Sequence, residues 1–370
     1  MSISTVFEKR EVRRIQFTGR STYILSLPKR WIQEMHLKPG NPVTIVREPN
    51  NTLSIVPNEL RIRGSDNEVT ALILQDESSS SLKRKVVSMY LSGYNVINLR
   101  PDTERIMPSQ RDAVRDVVRR NLVGTEIIAD ASDIITIQIL LSIPELSVNT
   151  AIRRMFLIST AMHSDAMASL REHNHELARA IIKSDDEVDR FSLYILRNLV
   201  IATQNERMVQ EIGLRNRSDC LSYRVAVRSI ERVADHAAGI ADKSLKITAS
   251  VPQEVFQKID KMSRMSITLL TDAVEALLRR DYYLADSIVD KVDALHSMEN
   301  EIILFLDKER HSTKEPDHES TIVFIKLILE DIRRTAEHAS DIAEAAMNQT
   351  ISEVIEKHGF KNKLAKSTIQ

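Results

Sequence analysis

Two pairs of acidic residues in this sequence have the spacing to bind a cation. The two residues of each pair are four positions apart. Asp185 and Asp189 form one pair, and Glu231 and Asp235 form the other. Residues four apart lie one turn apart on the same face of a helix, so the carboxylates of a pair can converge on one cation. Four carboxylates on neighbouring helices suit magnesium, manganese, iron or zinc. Because charged residues make up 28% of the chain, an ordinary solvated helix surface is the alternative for both pairs.

The elements that must position these acids are helices. Apolar residues recur with helical spacing from residue 148 to residue 350, and the pattern predicts six helices, at 149–172, 175–205, 218–246, 252–279, 281–309 and 318–350. This stretch contains an internal repeat, because IERVADHAAGIAD at 230–242 aligns with IRRTAEHASDIAE at 332–344 and seven of thirteen positions are identical. Average composition would give about one identity. Duplication therefore predicts two three-helix bundles, a first repeat at 148–249 and a second repeat at 250–350.

The repeated stretch resembles PhoU, a family of phosphate-uptake regulators whose duplicated bundles carry a Glu-Arg-x-x-Asp-His-Ala motif in the third helix. The resemblance implies a repressor of phosphate uptake that contacts phosphate transporter components or a sensor kinase. It also implies divalent or iron ions at Asp/Glu-x-x-x-Asp motifs, with the ligands Asp185, Asp189, Glu231 and Asp235. His236 adjoins the same helix face and could add a nitrogen ligand, which the family pattern does not require. In the second repeat Arg333 replaces the motif glutamate and leaves Glu337. Pairing of Arg333 with Asp290 would take the place of a metal, so we predict one metal site.

The first part of the chain is basic and rich in predicted strands. Residues 1–63 contain eleven Lys or Arg and five Asp or Glu. Alternation predicts strands at 12–17 and 21–27 around Gly19, a short helix at 28–35, and a hairpin of 43–46 with 53–56. A segment of this size buries little core alone, so we expect it to dimerise.

This head, residues 1–60, resembles the AbrB/SpoVT family, in which two chains interleave hairpins into one barrel and basic residues contact DNA. The resemblance implies a homodimer that binds DNA through Arg13, Arg14, Arg20, Lys29 and Arg30. Guanidinium groups suit phosphate oxygens and guanine edges, whereas a lysine serves mainly as a counter-charge to phosphate. Two alternatives are a solvated basic face and a head that only dimerises, as in antitoxin relatives.

Between head and repeats, residues 66–147 alternate strands and helices and predict a small α/β module with helices on one face. We expect this middle module to act as a spacer or in dimerisation. The predicted fold class is multidomain and mainly α, with a swapped-hairpin β-barrel head, the middle module, two three-helix bundles, and a basic C-terminal tail at 351–370.

Several classes of protein are disfavoured by what the sequence lacks. The lone Cys220 excludes an internal disulfide framework and suits a reducing cytoplasm, and no apolar run of 18 residues or signal peptide is present. Glu172–His175 contains the Glu-x-x-His of di-iron bundles, but it falls at a predicted helix junction where Asn174 reads as a cap. The sequence contains no nucleophile elbow, Walker loop, dinucleotide fingerprint or zinc-protease motif, so an enzymatic role would rest on the acidic pairs alone. We therefore expect a cytoplasmic, non-enzymatic, DNA-binding regulator of phosphate uptake. The alternatives are a PhoU-type adaptor without DNA binding and, third, a metal-dependent enzyme.

Overall fold

A computed structural model describes residues 11–19, 22–47, 52–57, 67–140, 146–204, 206–248, 251–310 and 316–367. The chain divides into two compact units, Met1–Asn67 and Glu68–Gln370. The first unit contains the head, and the second contains the middle module together with both repeats.

The described residues of the head form two separate hairpins and one short helix. Strands β1 (Gln16–Thr18) and β2 (Thr22–Ile24) pair antiparallel. Helix α1 (Lys29–Glu34) follows, and β3 (Val43–Arg47) pairs antiparallel with β4 (Leu53–Pro57). The first two strands are shorter than predicted, in keeping with the marginal stability of a two-stranded hairpin in water. Gly19 adopts φ 65°, a left-handed conformation that favours glycine.

The described part of the head has no apolar core of its own. Pro28 is its only buried residue among those whose burial is described. Six large apolar side chains are more than half exposed, namely Val12, Ile15, Phe17, Tyr23, Ile45 and Leu53. Phe17 and Tyr23 contact each other across the first hairpin, with ring centroids 5.1 Å apart.

The middle module is a four-stranded sheet with its helices on one face, as predicted. Its elements are β5 (Glu68–Ile73), α2 (Ser79–Leu91), β6 (Val96–Pro101), α3 (Pro108–Asn121), β7 (Thr125–Asp130) and β8 (Ile135–Ile139). The strand order is β5-β6-β8-β7, and only the β5–β6 pair is parallel. Ser78 caps α2 by accepting a hydrogen bond from the backbone N–H of Ser81. The sheet and helices share one apolar core that includes Leu82, Ile97 and Val114.

The remainder of the described chain is helical. Its elements are α4 (Val148–Glu172), α5 (His175–Gln204), α6 (Glu206–Glu211), α7 (Asp219–Ser244), α8 (Gln253–Arg279), α9 (Tyr282–Arg310) and α10 (Pro316–Ser367). All six predicted helices are present, and the short α6 was not predicted. Helix α10 continues into the segment predicted as a tail, because no glycine or proline interrupts residues 317–358. Glu353 in that extension accepts a hydrogen bond from Arg280 Nε at 2.9 Å.

The internal repeat lies where the two bundles pack together. Helices α4, α5 and α7 form one bundle, α8, α9 and α10 form the other, and α7 packs against α10 around a core common to both. Five of the seven identical pairs are fully buried: Ile230/Ile332, Ala234/Ala336, Ala237/Ala339, Ile240/Ile342 and Ala241/Ala343. Small and aliphatic side chains at these positions let the two helices approach closely. Most of the identical positions of the repeat therefore serve packing.

Candidate functional site

The structure brings together the four predicted metal ligands, which we name the acid cluster: Asp185 and Asp189 of α5, and Glu231 and Asp235 of α7. Burial, then the charges of the other three acids, raise the pKa of Asp185 to about 7. Burial, then the charges of Glu231 and Asp235, raise the pKa of Asp189 to about 6. Burial also raises the pKa of Glu231, although the nearby Arg228 opposes this. Mutual perturbation of this kind requires the carboxylates of the two helices to face one another.

The acid cluster is only partly neutralised by its surroundings. Glu231 accepts hydrogen bonds from Arg228 Nη1 at 2.9 and 3.0 Å. Asp185 Oδ1 is buried without a hydrogen-bond partner in the described chain. In the parts of the chain that the structure describes, no three His, Cys, Asp or Glu side chains stand close enough together to hold one ion. The four carboxylates therefore lie close enough to perturb one another, but as they stand in the described chain they do not form a set that could hold an ion.

In the second repeat, an arginine side chain stands where the first repeat has a carboxylate of the acid cluster. Arg333 occupies the position of Glu231, and its Nε lies 2.9 Å from Glu299 Oε2. Its Nη1 also donates to Glu337 Oε1. The predicted pairing of Arg333 with Asp290 is wrong, because Asp290 is exposed and Glu299, further along α9, is the residue that faces Arg333. The guanidinium thus neutralises the acids of the second repeat.

A polar contact between the two repeats was missed by the sequence analysis. Asp331 of α10 is buried, and its carboxylate lies 2.7 Å from Lys243 Nζ and 3.0 Å from His236 Nδ1. The His236 ring stacks on that of His338, with centroids 5.6 Å apart. A Cβ on Gly239 would lie 3.3 Å from both Asp331 Oδ2 and Lys243 Nζ, so this glycine leaves room for the ion pair. Our suggestion that His236 adds a nitrogen ligand to the acid cluster is not supported, because its Nδ1 is directed at Asp331.

His163 of α4 is the most strongly buried ionisable group near this contact. It is fully buried, and its Nε2 lies 2.9 Å from Ser263 Oγ of α8. Its Nδ1 has no hydrogen-bond partner among the described residues. Burial lowers the pKa of His163 to about 4, so the ring is neutral near pH 7. A buried neutral imidazole therefore joins the first helices of the two repeats.

The predicted DNA-binding residues of the head are exposed wherever the structure describes them. Arg13 contacts Glu11, and Arg30 Nε donates to Glu34 Oε1 at 2.9 Å. Arg14 and Lys29 are exposed and make no ion pair with the described residues. Arg20 lies outside the described residues. The assignment of these five residues to DNA stays a prediction.

Two other sequence features have structural roles. Asn174 Oδ1 accepts a hydrogen bond from the backbone N–H of Leu177 at 3.0 Å, so the Glu-x-x-His motif lies at a capped helix junction as predicted. Cys220 is buried, and burial raises the pKa of its thiol, which disfavours the reactive thiolate.

The comparison with protein families agrees with the duplicated helical architecture. The model of the PhoU domain matches twice, at residues 152–244 and at residues 259–346. The helical part of this chain therefore matches the PhoU domain in both of its repeats. Residues 16–62 match the model described as antidote-toxin recognition MazE, bacterial antitoxin. The chain therefore joins a MazE-type head to a pair of PhoU domains.

Similar proteins carry the same family name. A phosphate-specific transport system accessory protein PhoU homolog 1 of Thermotoga maritima is 28% identical over 199 residues, which is 52% of this chain and 80% of that protein. An Aquifex aeolicus phosphate-specific transport system accessory protein PhoU homolog is 26% identical over 168 residues, covering 42% and 71% of the two chains.

Two solved structures of PhoU proteins align with part of this chain. The crystal structure of the phosphate transport system regulatory protein PhoU from Streptococcus pneumoniae aligns with a TM-score of 0.46 at 20% identity, covering 54% of this chain and 91% of that one. Crystalline PhoU from Pseudomonas aeruginosa gives a TM-score of 0.45 at 20% identity, with coverages of 54% and 93%. Within the described ranges, no helix is both long and apolar enough to span a membrane.

Proposed function

We propose that this protein is a DNA-binding regulator of phosphate uptake and phosphate homeostasis, acting on transcription as a homodimer. The observation that carries the proposal is the joining, in one chain, of two PhoU domains to a basic MazE-type head. The named relatives are accessory proteins of phosphate-specific transport. In this account the PhoU repeats respond to metal status, phosphate status or a partner protein. The head binds DNA and so couples that response to transcription.

Dimerisation is supported by the lack of an apolar core among the described residues of the head. Val12, Ile15 and Phe17 lie in or beside one hairpin and are 97%, 69% and 58% exposed. Isolated two-stranded hairpins are marginal in water, and an apolar surface of this extent usually marks an interface. A second copy of the head would bury these side chains and supply the missing strand neighbours.

DNA binding is supported by the surplus of six positive charges over residues 1–63, which is eleven basic minus five acidic residues. Arg14 and Lys29 are exposed and carry their charges without an ion pair in the described head. Arginine forks and lysine ammonium groups neutralise backbone phosphates, and this interaction dominates affinity for duplex DNA. Dimerisation would double the number of such contacts.

We further propose that the acid cluster binds a divalent or iron cation. The unpartnered Asp185 Oδ1 and the raised pKa values of Asp185 and Asp189 support a site that gains from an added positive charge. Ligation would require side-chain rotations that draw the carboxylates of α5 and α7 onto the ion. The second repeat already has Arg333 in this role, so one site per chain is proposed.

A second candidate is an adaptor that does not bind DNA, in which the head only dimerises the PhoU domains. One observation favours it: Arg13 and Arg30 already contact Glu11 and Glu34, which reduces the positive charge available to phosphates. In this reading the protein acts on a phosphate transporter component or a sensor kinase.

Genome-wide mapping of bound DNA at high and low phosphate separates the two candidates. The regulator predicts occupancy near phosphate-uptake genes that changes with phosphate supply. The control is an Arg14→Ala/Lys29→Ala variant, whose exposed side chains are not needed for folding. Occupancy of the wild type no greater than that of this variant would favour the adaptor.

A further inference from the structure

A cavity of about 390 Å³ lies between the middle module and the first repeat. Its lining includes Val123, which follows α3, Arg154 of α4, and Glu187, Arg190, Phe191 and Tyr194 of α5. Small-molecule sites have volumes of about 300–1,000 Å³ and often lie where domains meet. The proposed DNA and metal sites do not use this cavity.

Polar contacts between α5 and the middle module hold the walls of the cavity in place. Arg197 of α5 is buried, and its guanidinium carbon lies 4.9 Å from the centre of the Tyr90 ring. The same guanidinium donates to the carbonyl oxygens of Tyr90 and Gly93 and, at 2.8 Å, to Asn95 Oδ1. Tyr194 donates to the carbonyl oxygen of Leu146 at 3.3 Å. These bonds link module to repeat, so the cavity is built into the second unit.

The lining combines two guanidinium groups with an aromatic surface. The Arg154 guanidinium lies over the Phe191 ring, 5.6 Å from its centre, and Arg190 is the residue before Phe191. In the described chain neither arginine has a carboxylate partner, whereas Arg115 of the same unit contacts Asp130 at 2.6 Å. Among the lining residues that the structure describes, Glu187 is the single acidic side chain and stands beside two arginines.

We propose that this cavity binds a small organic phosphate. Guanidinium forks match the geometry of phosphate oxygens, and Arg154 and Arg190 would hold the phosphate group. The organic part of the ligand would lie against Phe191 and Tyr194, and Glu187 can accept a hydrogen bond from a hydroxyl or amino group of the ligand. Binding at this site does not depend on DNA binding by the head, so the two proposals fail independently.

Isothermal titration calorimetry of the full chain in EDTA tests the site, with phenyl phosphate as the probe. We expect saturable binding that weakens at least about ten-fold in Arg154→Gln/Arg190→Gln, because glutamine cannot make the charge-assisted hydrogen bonds of a guanidinium to phosphate. Arg153→Gln is the matched control, since this exposed arginine neighbours Arg154 and does not line the cavity. This control is expected to bind like the wild type.

A second variant tests the organic part of the ligand. Phe191→Leu keeps an apolar side chain but removes the ring, and it should weaken phenyl phosphate while leaving inorganic phosphate unchanged. Equal affinities for phenyl phosphate in the double variant and in Arg153→Gln would overturn the site. So would the absence of binding at millimolar phenyl phosphate, or inorganic phosphate binding as tightly as phenyl phosphate to the wild type.

Discussion

Replacing Asp185 with asparagine should stabilise the metal-free protein, and more so as the pH rises. Asp185 has a pKa of about 7 in the folded chain, against an ordinary value of 3.8. Between these two values the folded state holds a proton that the unfolded state has lost. The free energy of unfolding therefore falls as the pH rises through this window, and the full loss is reached above about pH 7. Asparagine carries no charge at any of these pH values, so the variant lacks this loss.

The magnitude follows from the pKa difference. A shift from 3.8 to about 7 corresponds to about 4 kcal/mol at roughly 1.4 kcal/mol per pKa unit for a fully buried and isolated group. Asp185 is only partly buried and shares its perturbation with Asp189, so screening by water reduces the figure by about half. We expect Asp185→Asn to raise the free energy of unfolding by about 2 kcal/mol near pH 8 and by about 1 kcal/mol near pH 5.5.

Urea denaturation in EDTA at these two pH values measures the effect. The control is Asp165→Asn, which removes one carboxylate from an exposed position on α4 and should change stability little at either pH. The raised pKa of Asp185 is refuted if Asp185→Asn is less stable than the wild type near pH 8. It is also refuted if the free energy of unfolding depends on pH in the same way in both proteins.

Three further predictions address the metal, the buried histidine and the oligomeric state. Manganese should raise the melting temperature of the wild type and of Glu337→Ala but not of Glu231→Ala, because a ligand stabilises the state that binds it. Scanning fluorimetry measures these melting temperatures. Equal increases in all three proteins would contradict the metal proposal. The lowered pKa of His163, about 4 against an ordinary 6.5, means that its contribution to stability is complete above pH 6.5 and declines as the pH falls towards 4. This loss reaches about 3 kcal/mol. Urea denaturation between pH 7 and pH 4.5 should show that the free energy of unfolding falls less steeply in His163→Asn than in the wild type. Equal declines in the two proteins would contradict the burial of the imidazole. Light scattering of the dilute full chain should give a dimer, and a monomer with a folded head would contradict the proposed barrel.

Much of the helical architecture could be predicted from the sequence because its determinants are local. The 3.6-residue periodicity located the six long helices, and the identities between 230–242 and 332–344 located the duplication. The acid cluster followed from i, i+4 spacing on two helices that the bundle places side by side. These inferences needed only the period of a helix and the adjacency of successive helices.

Contacts that depend on how helices cross could not be predicted in the same way. Arg333 pairs with Glu299 rather than Asp290 because the rotation and stagger of α9 against α10 decide which residue faces it. His163 meets Ser263 one hundred positions away, and local pattern does not indicate that pair. The sequence offered one indication of the Asp331 contact. Gly239 lies inside a predicted helix, where a glycine often marks a close approach by another group.

The salt dependence of DNA binding by the full-length protein tests the central proposal most directly. Fluorescence anisotropy with duplex DNA should give an affinity whose logarithm falls steeply with the logarithm of salt concentration, because bound phosphates release counterions. Removing Arg14 or Lys29 should each flatten that slope by about one unit, while the protein remains a folded dimer. Salt-sensitive binding with these slopes is the result that we predict. A folded dimer that shows no salt-sensitive binding to DNA would contradict the account.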